Sequence, residues 1–319
     1  MFVVGDIGGT NARFAIARTT PDNRIVVSDY EKYSADQVSV FEDGINQFLD
    51  KLGYRPPLAI FAVAGPIRND EVQFTNRAWK IKRQDIIKNC ALTDVCLLND
   101  FTAMAHAVPR MTEDSFLPIK PGSPIEGAPI LVAGPGTGFG VSLLSQSAGR
   151  WHSIATEGGH ILYTPRNPIQ NEVLRILEKA LGCPVSLEHV TGGAFLNVLA
   201  QAVSEIHGVA HVDRSPQKII EDALQGDPLS TDICTIRVEA IMTGLGNLAL
   251  VGGARGGIVL AGGVGRHLIN FLTTPSAIHA FESIWPENNY LRDIPIRLLT
   301  NPMAPLIGAA AQYMEEHHD

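Results

Sequence analysis

Leu98-Asn99-Asp100-Phe101 sets an amide and a carboxylate side by side, at the end of an apolar run and just ahead of a helical pattern. Two accounts fit the pair. Either side chain can accept the orphan N–H groups of a helix start; the aspartate can also take a proton from a substrate hydroxyl while the asparagine holds a neighbouring one. Glu157-Gly158-Gly159-His160 places an acid and an imidazole three apart around two glycines, so several polar groups converge on one short turn, although a lone histidine more often satisfies a core. Glu188, in Ser186-Leu187-Glu188-His189, precedes Thr191-Gly192-Gly193 and a helical stretch from Ala194 to His207, and reads as a hydroxyl ligand or as a cap. Asn76 and Trp79 can line a ligand or fill a wall, the wall being the simpler reading. His317 and His318 belong to a charged tail.

Three glycine-rich turns accompany these groups. Asp6-Ile7-Gly8-Gly9-Thr10-Asn11 leaves the first strand and enters a second at Ala12 to Ile16, which makes it a hairpin turn. Adjacent glycines there let backbone N–H groups approach a phosphate, Thr10 adds a hydroxyl donor, and Asp6 can face a hydrated Mg²⁺ that bridges phosphates. An ordinary hairpin turn would use the same residues. The motif is neither GxxxxGK[ST] nor a GxGxxG ahead of a helix, which argues against P-loop and dinucleotide-binding chemistry. Ala133-Gly134-Pro135-Gly136-Thr137-Gly138-Phe139-Gly140 again runs from strand to strand, and Leu260-Ala261-Gly262-Gly263-Val264 runs from a buried strand into a helical pattern. All three lie at the ends of apolar strands, where an open α/β sheet places its ligands.

The elements that carry these residues alternate. Short apolar runs at Phe2 to Val4, Leu58 to Val63, Val95 to Leu98, Ile130 to Ala133, Gly140 to Leu144 and Gly257 to Leu260 read as strands covered on both faces. Val40 to Leu52 and Gln170 to Leu181 read as helices, the second with Val173, Ile176, Leu177 and Leu181 on one face. That alternation predicts an α/β fold. With 319 residues, the chain has room for roughly two domains. The prolines from Pro109 to Pro129 predict a connection, with a boundary near residue 110, and Ala304 to Glu316 reads as an amphipathic helix. Hydrophobic residues at 45% and charged ones at 18% are those of a chain that folds. A net charge of −8 repels a phosphate backbone, so nucleic acid is not expected as a partner. Ala240 to Ala254 is too short for a membrane span and reads as a buried helix. The first six residues lack the basic region of a signal peptide, and four cysteines without a CxxC pair predict reduced thiols in the cytoplasm.

Taken in order, DIGGTNAR at 6–13, AVAGPI at 62–67, TNRAW at 75–79, LNDFTA at 98–103, GPGTGFGV at 134–141, EGGH at 157–160 and LAGGV at 260–264 resemble the bacterial glucokinase family over nearly the whole chain. The resemblance implies a two-domain hexokinase/actin-like (ribonuclease H-like) α/β fold. Its small domain would comprise 1–110 plus 301–319 and its large domain 111–300, with a nucleotide and sugar cleft between them. It implies ATP-dependent phosphorylation of glucose at the C6 hydroxyl, with ATP and Mg²⁺ as cofactors and a homodimer as the assembly. Asp100 would be the base, and Asn99, Glu157, His160 and Glu188 would hold ring hydroxyls. Gly5, Asp6, Ile7, Gly8, Gly9, Thr10, Asn11 and Thr137 would lie at the nucleotide's phosphates and Gly262 and Gly263 near the nucleotide, with Mg²⁺ bound mainly through ATP.

One departure is the loop behind Glu188, where the family's Ser-Gly-x-Gly is replaced by Thr191-Gly192-Gly193-Ala194. The related repressor and kinase family carries a CxCGxxGC zinc motif that is absent between Ile161 and Gly193, so no structural zinc is expected. A kinase for another hexose would use the same Asn99, Asp100 and glycine turns. A nucleotide-switched interaction protein has no need of Asp100 combined with Glu157 and His160, and a non-catalytic sugar sensor is disfavoured because no residue of the base or phosphate set is missing and no DNA-binding helix pair precedes the first strand.

Overall fold

The computed structural model describes residues 1–8, 11–22, 24–34, 38, 40–73, 79–284 and 288–317. The chain divides into two units, one of Met1–Glu113, Ser147–Ala155 and Asn301–Asp319, the other of Asp114–Gln146 and Thr156–Thr300.

In the first unit the strands are β1 (Phe2–Ile7), β2 (Asn11–Thr19), β3 (Ile25–Ser34), β4 (Leu58–Val63), the short pair β5 (Glu71–Gln73) and β6 (Lys80–Lys82), and β7 (Asp94–Asn99). Five of them form a sheet in the order β3-β2-β1-β4-β7. β1, β4 and β7 run parallel, which sets Asp6 beside Ala62 and Val63 beside Asn99. Because β1 and β4 are apolar on both faces, each face of the sheet can be covered. One face packs Phe14, Phe48 and Phe61 with the helix Phe41–Leu52, which begins one residue after the expected Val40 because that residue is extended. The other packs Val4, Ala15 and Ile60 against Leu306, Ala309 and Ala310 of the helix Ala304–His317. Gly308 lets that helix sit directly on the helix Asp100–Ala107, since a Cβ there would run into the Ala103 carbonyl.

A six-stranded sheet is built on β8 (Phe116–Lys120), β9 (Ile130–Pro135), β10 (Phe139–Ser147), β11 (Arg150–Thr156), β12 (Gly257–Leu260) and β13 (Ile296–Leu299), in the order β11-β10-β9-β12-β13-β8, and all of these strands but β11 fall in the second unit. β8 corrects the sequence reading. Phe116–Lys120 lies inside the stretch expected to be a connection, and Pro118 is tolerated there because β8 is an edge strand, where a missing N–H costs no ladder bond.

The helix expected at Ala240 to Ala254 is longer. It spans Pro228–Gly252, with Asp227 capping its start and Pro228 in its first turn. The charged residues inside it hid its length: Arg237 is buried, and Glu239 accepts a hydrogen bond from Gln170 Nε2 at 2.6 Å. By length and composition this helix could cross a membrane, yet 72% of its most apolar stretch is buried in the second unit's core.

Candidate active site

At the carboxyl ends of β1, β4 and β7 the first unit gathers Asp6, Asn99 and Asp100. Asn99 is extended and caps the helix Asp100–Ala107: its Oδ1 accepts from the N–H groups of Phe101 at 3.0 Å and Thr102 at 3.2 Å. The capping account of Asn99 is therefore real, and it leaves the side chain's amide donor for other work. Asp100 Oδ1 accepts the Phe101 N–H at 2.9 Å. Burial, reinforced by the negative charge of Asp6, pushes the Asp100 carboxyl up to about 7. Asp6 is itself raised by burial, and Arg13, at 3.1 Å, pulls in the opposite direction.

Arg13 was not among the expected site residues. Its signal was in the hairpin, because pairing of β1 with β2 sets residues 6 and 13 opposite each other. Gly8 closes the turn by donating its N–H to the Asn11 carbonyl at 3.0 Å. Gly9, Thr10 and Asn76 lie outside the described residues. Gly5 is mid-strand, where a Cβ would come 2.5 Å from the Phe61 ring, and the Ile7 side chain is fully buried, so only backbone at these two positions faces the turn. Trp79 fills a wall: it is buried against Phe41 and donates its Nε1–H to the Val38 carbonyl at 3.0 Å.

The second unit brings Glu157, His160 and Glu188 together although 31 positions separate the two acids. His160 Nε2 stands 3.6 Å from Glu157 Oε2, and His160 Nδ1 stands 3.6 Å from Glu188 Oε1. Both gaps exceed a normal hydrogen bond, so these polar atoms keep capacity for a ligand. With side-chain exposures of 74% and 59%, Glu157 and His160 are open to solvent, whereas Glu188 at 19% forms the floor. Gly158 and Gly159 permit the turn to pack, the first against Val141 and Leu248 and the second against the Phe139 carbonyl.

The departure behind Glu188 has a structural resolution. Gly193 donates its N–H to the Gly136 carbonyl and Ala194 to the Thr137 carbonyl, each at 2.9 Å, so backbone alone clamps this loop to the glycine turn between β9 and β10. A Cβ on Gly192 would lie 2.8 Å from the Thr137 carbonyl, which explains the diglycine. Thr137 stands exposed at the tip of that turn. Gly262 has φ of +96°, a conformation that L side chains rarely adopt, and it hands the chain from β12 to the short helix Gly263–His267.

Beside these turns is a cavity of about 300 Å³. Leu196, Pro216, Ile220 and Val264 give it apolar walls, Gly263 an open edge, and Arg237 a cationic one. Sequence reading gave no hint of Arg237, whose burial follows from its place in the long helix Pro228–Gly252.

The chain matches the Glucokinase family model over residues 3–316. A glucokinase of Caulobacter sp. (strain K31) is 35% identical over 313 residues, covering 97% of this chain and 93% of that protein. Among solved structures, a glucokinase from an Antarctic psychrotroph superposes with a TM-score of 0.84 at 29% identity, covering 98% of each chain. A Balamuthia mandrillaris glucokinase, solved in complex with glucose, has the same fold, with a TM-score of 0.82 at 21% identity over 98% of this chain and 92% of that one. A family match across nearly the whole chain and agreement in fold lead to one statement: this protein belongs to the glucokinase family.

Proposed function

We propose that this protein is an ATP-dependent glucose kinase, forming glucose 6-phosphate at the entry to glycolysis. The observation that carries the reading is Asp100, a half-buried carboxyl at the end of β7 whose desolvation pushes it up to about 7, where a general base works best at neutral pH. In this reading Asp100 takes the proton of the C6 hydroxyl as that oxygen attacks the γ-phosphorus. The new O–P bond forms as the bond from the γ-phosphorus to the bridging oxygen breaks, and ADP leaves with the electron pair. Asn99, its Oδ1 occupied by the helix start, donates its amide N–H to a neighbouring hydroxyl. Glu157 and Glu188 accept from ring hydroxyls, and His160 donates or accepts according to its tautomer. A site whose polar groups are built for hydroxyls leaves them unpaired when an analogue lacks one, which penalises that analogue heavily.

The backbone of the turn from Gly5 to Asn11, Thr137 and the Gly262-Gly263 turn would hold the nucleotide and its phosphates. Mg²⁺ fits this donor set: it prefers hard oxygens and keeps waters, so it would ride on the ATP phosphates with Asp6 facing it through water. When bound, it offsets the charge of the γ-phosphate. The cytoplasmic location rests on the charge and cysteine pattern of the chain, and the homodimer on its motif resemblance.

Sugar-dependent ADP release, coupled to sugar phosphate formation across glucose, mannose, fructose and N-acetylglucosamine, tests the proposal. Glucose-preferring turnover with almost no background in the absence of sugar is expected. Preference for another hexose, or ATP hydrolysis that ignores sugar, would overturn it.

A further inference from the structure

Arg237 lies 3% exposed within the helix Pro228–Gly252, in the wall of the 300 Å³ cavity. Its Nε donates to the Thr191 carbonyl at 2.9 Å, fixing the guanidinium plane. Its Nη2 is buried and has no hydrogen-bond partner. Among the described residues it has no carboxylate partner either; burial lowers the group to about 10, which leaves it cationic at neutral pH. A buried cation with one donor left unpaired is costly, and a ligand that accepts from it would remove that cost. The cavity supplies the place for that ligand. Its volume is at the small-molecule end of binding sites, its walls at Leu196, Pro216, Ile220 and Val264 suit the faces of a flat heterocycle, and Gly136 and Gly263 mark it as continuous with the glycine turns. An arginine offers only donors, so the group it selects must be an acceptor.

We propose that Arg237 is a donor-selecting residue: its guanidinium donates a hydrogen bond to an acceptor atom on the base or ribose of the nucleotide that supplies the phosphoryl group. The proposal rests on the kinase reading above and deepens it. Arg237 has no part in the phosphoryl transfer itself, so its loss weakens nucleotide capture and leaves the chemical step in place. The same guanidinium holds Thr191, the last residue of the helix Leu187–Thr191 that bears Glu188, so a purely structural role would show itself first at the sugar.

Steady-state kinetics of Arg237→Met and Arg237→Lys, with ADP binding measured by calorimetry on the same proteins, separate the two roles. Arg237→Met is expected to raise the KM for ATP and the dissociation constant for ADP about tenfold or more, with kcat and the KM for glucose within about threefold. Arg237→Lys, which keeps a donor, should recover part of the loss. Acceptor-deleted donors, 1-deaza-ATP, 3-deaza-ATP, 7-deaza-ATP, 2′-deoxy-ATP and 3′-deoxy-ATP, test the unmutated protein whatever the variants' folding. One of them should lose about tenfold against ATP on the parent and nothing further on Arg237→Met. Unchanged ADP affinity in a folded Arg237→Met, a loss confined to glucose KM, or equal use of all five analogues by the parent would each overturn the proposal. A parent that binds ADP through Arg237 yet forms no glucose 6-phosphate would instead overturn the kinase reading and leave the role of this residue intact.

Discussion

Glu188 Oε2 lies 2.5 Å from the point that a Cβ on Gly138 would occupy, so the turn after β9 and the helix bearing Glu188 fit together only while residue 138 has no side chain. Gly138→Ala must displace the carboxylate or open the turn. The expected result is a glucose KM raised about tenfold, with a melting temperature only a few degrees lower. Enzyme kinetics beside a thermal melt check it, and an unchanged glucose KM would show that Glu188 takes no part in holding the sugar.

Asp100→Asn keeps an acceptor for the Phe101 N–H and removes the proposed base. We expect kcat to fall by about 10² to 10⁴ while glucose binding persists. Measured binding of glucose by the inactive variant distinguishes this from a collapsed site.

The same substitution should stabilise the protein at high pH. The folded Asp100 carboxyl titrates near 7 against an ordinary 3.8, so between those values the folded state holds the extra proton and stability falls as pH rises. At pH 8, Asp100→Asn should gain on the order of 2 kcal/mol, shrinking to nothing as pH approaches 4. Urea titrations at both pH values read the difference. A gain equal at the two pH values would exclude titration as its source.

For the unmutated protein, kcat/KM for glucose should rise about tenfold per pH unit below 7 and level off above it, because only the ionised carboxylate takes the proton. A flat profile from pH 5.5 to 8.5 would remove Asp100 from the role of base.

Asn99 separates capping from binding. Asn99→Asp retains an oxygen for the Phe101 and Thr102 N–H groups and loses the amide donor, so stability should hold while glucose KM rises. Asn99→Ala loses both, with about 1 kcal/mol of stability going as well. Comparable stability loss in the two variants would contradict the division.

Much of this was readable in the residues. Asp6, Asn99 and Asp100 stand where apolar strands stop, and such ends are visible as soon as periodicity is, because a doubly covered strand is apolar almost throughout. β8 and β11 were missed for the converse reason. Pro118 and Leu117 sit on an edge strand, and Arg150–Thr156 mixes exposed and half-buried residues, with none buried, at the other edge, so neither shows a continuous run. The place of Glu188 beside His160, and of Arg237 beneath Thr191, comes from long-range packing and has no local signature. Arg13 lies between these cases, since counting across the hairpin turn would have found it.

The seat of Gly308 on the helix Asp100–Ala107 bears on the order in which a ribosome can finish this molecule. The first unit needs Asn301–Asp319 to cover one face of its sheet, yet all of Asp114–Gln146 and Thr156–Thr300 is translated before that segment exists. At common elongation rates the nascent first unit waits roughly ten to forty seconds with Val4, Ala15 and Ile60 uncovered, while its neighbour is synthesised and can close. The unit encoded in the interior of the message is therefore the one completed first, and the exposed face of the other is where a nascent-chain chaperone would find its work.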